Sequence, residues 1–231
     1  MKIYKPWTKA MNVIKLINDK YNFEQKLIGH TEYVSGVIEI RTNELISVSG
    51  DSTMKLWNLN NNNQYECTNT INLNSLCSIL KLNENEFVTY HFVDKCLKFW
   101  NSNNFSNIST INNIESNWRE PLCKLNDDIL CVGGNGLYLI NISKHQLINK
   151  ILDGKRMCSL YKSNDELILC PIYENNHYSL IKYKYKNQKF NKIIEKEKAF
   201  TCRYRFVELD DEIIVGATDD AYFSPILLWR N

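Results

Sequence analysis

Long apolar runs are missing from this 231-residue chain. No stretch approaches the roughly 18 apolar residues of a membrane-spanning helix, so no membrane partner is expected. The opening Met1-Lys2-Ile3-Tyr4-Lys5-Pro6-Trp7 lacks the apolar core of a secretory signal. Paired cysteines are missing as well. The eight cysteines (Cys67, Cys77, Cys96, Cys123, Cys131, Cys158, Cys170 and Cys202) never fall within four residues of one another, so no C-x-x-C zinc knuckle exists. Most sit inside apolar runs, where cysteine acts as a small hydrophobe. A reduced, intracellular setting is expected, with the cytoplasm first and the nucleus open. Charge of one sign is lacking: the net charge of +2 is too small to create a nucleic-acid or membrane field. Neither a G-x-S-x-G elbow nor a G-x-x-x-x-G-K phosphate loop occurs. The four histidines, His30, His91, His145 and His177, stand at no metal-ligand spacing from one another or from a cysteine pair. No metal, no cofactor and no catalytic residues are expected. The chain does not read as an enzyme.

What is present leans toward β structure. Apolar residues make up 44%, with a full aromatic set of 13 Tyr, 9 Phe and 5 Trp. The abundance of Asn, Lys and Ile reads as the composition bias of an AT-rich genome. The informative feature is a repeat. Five times a polar, acidic turn leads into an apolar strand: Thr42-Asn43-Glu44-Leu45-Ile46, Glu84-Asn85-Glu86-Phe87-Val88, Asn126-Asp127-Asp128-Ile129-Leu130, Asn164-Asp165-Glu166-Leu167-Ile168 and Asp210-Asp211-Glu212-Ile213-Ile214. The first apolar residues, at 45, 87, 129, 167 and 213, are separated by 42, 42, 38 and 46 residues. Near-constant spacing over five units indicates a repeat architecture.

Each unit reads as strands. An alternating run such as Val34–Ile40 or Leu76–Leu82 precedes the turn. A short apolar strand follows, then a third such as Met54–Trp57, Cys96–Trp100 or Ile226–Trp229, and a fourth in the linker, as in Tyr65–Ile71. Gly133-Gly134-Asn135-Gly136, the one glycine cluster, falls between two strands and suits a hairpin. Sustained helical periodicity is absent, so helices should be scarce.

The first complete unit resembles a WD repeat: Gly29-His30, the strand from Val34, then Leu45-Ile46-Ser47-Val48-Ser49-Gly50-Asp51-Ser52-Thr53-Met54-Lys55-Leu56-Trp57-Asn58. In that family a His, a strand Ser or Thr, a turn Asp and a Trp form a hydrogen-bonded chain. The resemblance carries those roles to His30, Ser47 or Ser49, Asp51 and Trp57. A buried imidazole needs a carboxylate and a hydroxyl, and an indole N–H needs an acceptor. The second unit keeps Thr89, Asp94 and Trp100 but has no Gly-His before it; the third and fourth lack the Trp; the fifth regains Trp229. His145 and His177 fall in predicted turns.

The resemblance implies an all-β propeller of four-stranded antiparallel blades. About five complete or near-complete blades and a half blade are expected, as part of a six- or seven-bladed ring. A single domain over 1–231 is expected, incomplete as a ring, with blade cores near 30–73, 74–112, 115–152, 155–195 and 200–231. Val13–Asn18 and Phe23–Ile28 read as the last two strands of an earlier blade.

The implied function is a non-catalytic interaction scaffold that docks peptides or partner proteins on the top face. Twelve residues before each anchor lie Tyr33, Ser75, Asn117, Lys155 and Thr201; ten before lie Ser35, Cys77, Arg119, Met157 and Arg203. A face mixing Tyr33, Trp118, Arg119, Lys155, Arg156 and Arg203 has the aromatic and arginine content of interfaces. Its basic share points to an acidic or phosphorylated segment. The alternative is RNA binding through Lys182-Tyr183-Lys184-Tyr185-Lys186-Asn187-Gln188-Lys189-Phe190-Asn191-Lys192, where bases could stack between lysines. Strand alternation would instead turn Tyr183 and Tyr185 inward, and Glu195 and Glu197 dilute the charge.

Overall fold

The computed structural model describes residues 2–4, 9–18, 20–116, 121–157, 160–163, 167–174, 177–186, 189–200, 206–208, 213–217 and 226–230, by the backbone alone at 2–4, 15–17, 21, 153, 156, 161, 163, 167–174, 177–180, 182, 186 and from 193 onward. These residues are strand and turn, with no helix among them. The chain divides into two compact units, Met1–Asn113 and Ile114–Asn231.

The first unit holds three antiparallel sheets whose strands pair in chain order. Strands β1 (Lys2–Tyr4), β2 (Ala10–Ile17) and β3 (Lys20–Ile28) form the first. Then come β4 (Val34–Arg41), β5 (Glu44–Ser49), β6 (Thr53–Leu59) and β7 (Tyr65–Asn72), and the same pattern recurs in β8 (Cys77–Lys81), β9 (Glu86–His91), β10 (Cys96–Asn101) and β11 (Asn107–Ile111). In both, the anchor residue of the repeat sits opposite a tryptophan, Leu45 across from Trp57 and Phe87 across from Trp100. Both sheets also carry a bulge at that tryptophan, between Leu56 and Trp57 and between Phe99 and Trp100. A bulge re-aims one side chain and sharpens the twist.

Burial grades across each sheet. Strands β5 and β9 are buried from their second residue on, and that burial takes in the polar Ser47, Ser49, Thr89 and His91 as well as apolar side chains. Strand β7 is exposed along most of its length and is polar. Packing is face to face: Ile46, Val48 and Met54 share a core with Leu73, Cys77, Phe87 and Trp100. Met11, Val13 and Leu27 share another with Val34, Leu45, Trp57 and Tyr65. Side chains also bridge the sheets through backbone carbonyls. Ser35 Oγ donates to Cys77 O at 2.6 Å, and Lys81 Nζ to Ile40 O at 2.7 Å. The buried cysteines serve as packing atoms, and burial pushes the Cys123 thiol up to about 11.

The second unit departs from separate blades. Strands β12 (Leu122–Lys124), β13 (Ile129–Asn141), β14 (Gln146–Met157), β15 (Tyr161–Ser163), β16 (Leu167–Glu174), β17 (His177–Lys186) and β18 (Lys189–Phe200) join in one seven-stranded sheet. Strands β19 (Phe206–Glu208), β20 (Ile213–Ala217) and β21 (Ile226–Arg230) form a three-stranded one. Within β13 the chain reverses near Gly133–Gly136. Ile142 N donates to Asp128 O at 2.8 Å, just as Leu59 N meets Asn43 O at 3.0 Å and Ser102 N meets Asn85 O at 2.7 Å. So β13 contains both middle strands of the third repeat. Strand β14 pairs β13 as far as Ile151, passes through Leu152 (φ 55°) and Gly154 (φ 78°), meets β13 again at Arg156 opposite Asn135, and pairs β16 through Arg156 and Met157. The third and fourth repeats are 38 residues apart, the shortest step in the chain. No residues are left for a loop between them, so the last strand of one runs into the first strand of the next. His177, expected in a turn, instead opens β17 opposite Glu174.

The abundant asparagines do structural work beyond any compositional bias. Asn18, Asn43, Asn63, Asn74 and Asn113 adopt positive φ, the left-handed conformation that Asn tolerates best after Gly. In three successive repeats an Asn carboxamide caps the turn after the third strand. Asn60 Oδ1 accepts from Asn62 N and Gln64 N, Asn101 Oδ1 from Asn103 N, and Asn141 Oδ1 from Lys144 N.

Candidate functional site

Two buried histidines organise the first unit. His30 lies just before β4, and its side chain is 1% exposed against 8% for Asp51. Its Nδ1 is 2.9 Å from Asp51 Oδ2, and its Nε2 is 2.7 Å from Ser47 Oγ. A carboxylate can only accept, so Nδ1 carries the proton and Nε2 accepts from the Ser47 hydroxyl. Trp57 Nε1 donates to the same Ser47 Oγ at 2.8 Å. The chain of donors runs one way, from indole to hydroxyl to imidazole to carboxylate. It ties β6, β5 and the loop before β4 to the β5–β6 turn. Gly29 precedes the histidine because the indole lies on it: a Cβ there would sit 3.0 Å from Trp57 Cη2. Ser49 is outside the chain; its Oγ donates to Glu32 O and accepts from Asp51 N.

Asp51 is the hub. Besides His30 it accepts from Thr31 N at 3.0 Å, Thr53 N at 3.0 Å and Thr53 Oγ1 at 2.7 Å. Burial pushes its pKa up, but the hydrogen bonds from Thr53, the Thr31 amide and His30 outweigh that and hold it at about 2. Burial lowers the His30 pKa, against the hydrogen bond and charge of Asp51.

The second repeat builds a similar chain from a residue that sequence reasoning missed. Trp100 Nε1 donates to Thr89 Oγ1 at 2.8 Å, and Thr89 Oγ1 meets His91 Nε2 at 2.9 Å. The imidazole therefore comes from β9 itself, two residues beyond the threonine, where strand alternation puts both on one face. That spacing was the available signal. His91 Nδ1 meets Ser75 Oγ at 3.0 Å in the loop before β8. Asp94, carried over from the family pattern, stays 4.0 Å away and 47% exposed, whereas His91 is fully buried. Burial, reinforced by Lys98 and opposed by Asp94, pulls His91 down to about 4.

The third strand of the third repeat ends Leu137-Tyr138-Leu139-Ile140-Asn141, without the tryptophan. Tyr138 OH accepts from Glu115 N at 3.2 Å, and Asn135 N donates to Glu115 O at 2.9 Å. A Cβ on Gly134 would lie 1.9 Å from Glu115 O, so only glycine lets the two backbones approach.

The proposed top-face residues are partly placed. Tyr33 is half-buried, with its ring against Gly50. Lys155 lies in β14 half-exposed, and Arg156 is placed by its backbone alone, opposite Asn135 and Tyr173. Trp118, Arg119 and Arg203 lie outside the described residues, as do Asn117 and Thr201. Of the neighbouring positions, Ser75, Cys77 and Met157 are buried in the body rather than displayed. In the Lys182–Lys192 stretch, Tyr183 is buried in the core with Ile181, and Tyr185 and Phe190 pack against it. Lys184, Lys189 and Lys192 are exposed.

No family model matches the chain. A stretch of 41 residues, about one repeat, is 51% identical to the tRNA (guanine-N(7)-)-methyltransferase non-catalytic subunit wuho of Anopheles gambiae, covering 18% of this chain and 11% of that protein. Among solved structures, a chain of the mitotic checkpoint complex aligns with a TM-score of 0.74 at 15% identity, over 97% of this chain and 69% of that one. U3-55K aligns with a TM-score of 0.73 at 13% identity, over 99% and 76%. All three are WD-repeat proteins. Successive four-stranded sheets, one repeat's identity and fold similarity across nearly the whole chain define the class. This chain has the β-propeller fold of WD-repeat proteins, and one of its repeats is similar to theirs in sequence.

Proposed function

We propose that the protein is a non-catalytic scaffold that docks a peptide or partner protein on its propeller loops. One observation carries this reading. The described histidines and the aspartate best suited to acid–base chemistry, His30, His91 and Asp51, are committed to tying strands together. What varies between repeats is the set of loops feeding each first strand, which suits recognition rather than catalysis. The description of wuho as a non-catalytic subunit, and the membership of another similar chain in a checkpoint complex, support the same role.

The ligand in this reading is an acidic or phosphorylated segment. Arg119, Lys155, Arg156 and Arg203 meet its charge, and Tyr33 or Trp118 packs on it. Exposed ion pairs contribute little, so the aromatic anchor matters as much as the charges. The test is affinity capture with wild type and with Arg119→Glu combined with Arg203→Glu. Loss of capture at unchanged melting temperature supports the docking face; undiminished capture overturns it. Neutralising Lys184, Lys189 and Lys192 is the comparison arm. If that variant alone loses a steeply salt-dependent partner, RNA binding replaces the peptide. With Tyr183 in the core, that strip has lost part of its stacking surface.

A further inference from the structure

The two histidine chains differ in one respect that affects how each repeat meets acid. In the first repeat the imidazole faces a carboxylate at 2.9 Å, itself held by three other donors. In the second the corresponding nitrogen faces only the Ser75 hydroxyl, at 3.0 Å. Val93 stands six residues after the anchor, where the first repeat has Asp51, and is 76% exposed. Across β8 and β10 the residues paired with His91 are Cys77 and Cys96, and burial raises both thiols, which keeps them neutral. The charged groups around the ring are Lys98 on β10, which repels a second cation, and Asp94 in the turn, at 4.0 Å.

We propose that His91 makes the second repeat an acid-sensitive latch: protonating its ring frees the loop before β8 from β9 while the first repeat stays closed. A buried imidazolium without a hydrogen-bonded carboxylate is costly, whereas His30, though burial lowers it too, gains an ion pair with a carboxylate already in place. The added proton falls on Nε2, where the Thr89 hydroxyl already points its own, so the ring must swing toward water and release Ser75. Ser75 occupies the position in its repeat that Tyr33 occupies in the first, so acid alters a loop of the kind assigned to docking, whatever docks there. The sign follows from the depressed value. Stability is full above the ordinary histidine value near 6.5 and is lost as pH falls toward about 4.

Imidazole NMR and amide exchange, corrected for the intrinsic pH dependence of exchange, test this on the full chain. The His91 ring should stay neutral well below pH 6. Amides of Ile79, Leu80, Val88 and Thr89 should lose protection roughly ten- to a hundredfold over that pH window, while those of Ile46–Val48 hold. His91→Gln keeps a donor and an acceptor but cannot titrate, and should flatten the response. Titration of His91 at or above 6.5, simultaneous loss in both repeats, or an unchanged response in the glutamine variant overturns the latch. Should that variant fail to fold, the wild-type ring titration and the contrast between repeats decide.

Discussion

The first and third repeats hold their strands by opposite means. In the first, four side chains from four segments pass hydrogen bonds from Trp57 to Asp51. In the third, Gly134 removes a side chain altogether, so that Glu115 can bond the hairpin backbone, with Leu137, Leu139 and Ile140 buried beside it. The second lies between, with indole, hydroxyl and imidazole but no bonded carboxylate. The difference teaches that the architecture requires each sheet's inner loop to be fastened, and that polar networks and close backbone packing are interchangeable ways of doing it. A network fails by losing one partner, whereas a close approach fails by gaining one atom.

That contrast can be broken most sharply at the glycine. Gly134→Ala should cost more than about 3 kcal/mol or prevent folding, because the new Cβ meets a carbonyl oxygen that cannot move alone. Gly154→Ala is the control: nothing lies within 4 Å of its Cβ, and its positive φ should cost only about 1 kcal/mol. Urea unfolding of the pair separates crowding from conformational strain. Equal losses would remove the close-approach explanation.

Ser47→Ala comes next, at roughly 2–3 kcal/mol, since it strands both the indole N–H and an imidazole nitrogen. Ser49→Ala, outside the chain, should cost less than half of that. A reversed order in thermal melts would reassign the hydroxyl.

A smaller effect concerns acid. With Asp51 held at about 2, its contribution is present above the ordinary carboxylate value near 4 and is lost as pH falls between the two. Asp51→Asn should lower stability at neutral pH and flatten the melting curve's pH dependence below 4. An unaltered dependence would place the acid transition elsewhere. The smallest effect belongs to Cys67→Ser on exposed β7, which should shift stability by less than about 0.5 kcal/mol. A larger loss would mean that this edge is covered.

Much of the first repeat was legible beforehand, because Gly-His, Ser, Asp and Trp are typed residues at typed spacings. The choice of Ser47 over Ser49 was not, since both point to the same side of β5 and only the ring position separates them. His91 was overlooked because its role depends on Ser75 arriving from another loop. The blade boundary expected near 152–155 rests on periodicity, which counts residues but does not show that β14 runs on through it. Composition alone marks the asparagines as bias, although several of them set turns.

By itself the sequence determined the strands, the repeat and the first histidine chain, because alternation, turn chemistry and short motifs act over a few residues. Only the tertiary structure decided which imidazole serves the second repeat, why the third needs none, and where two sheets merge. Those outcomes depend on segments from different strands meeting in space, and no local pattern encodes which of several adequate partners arrives first.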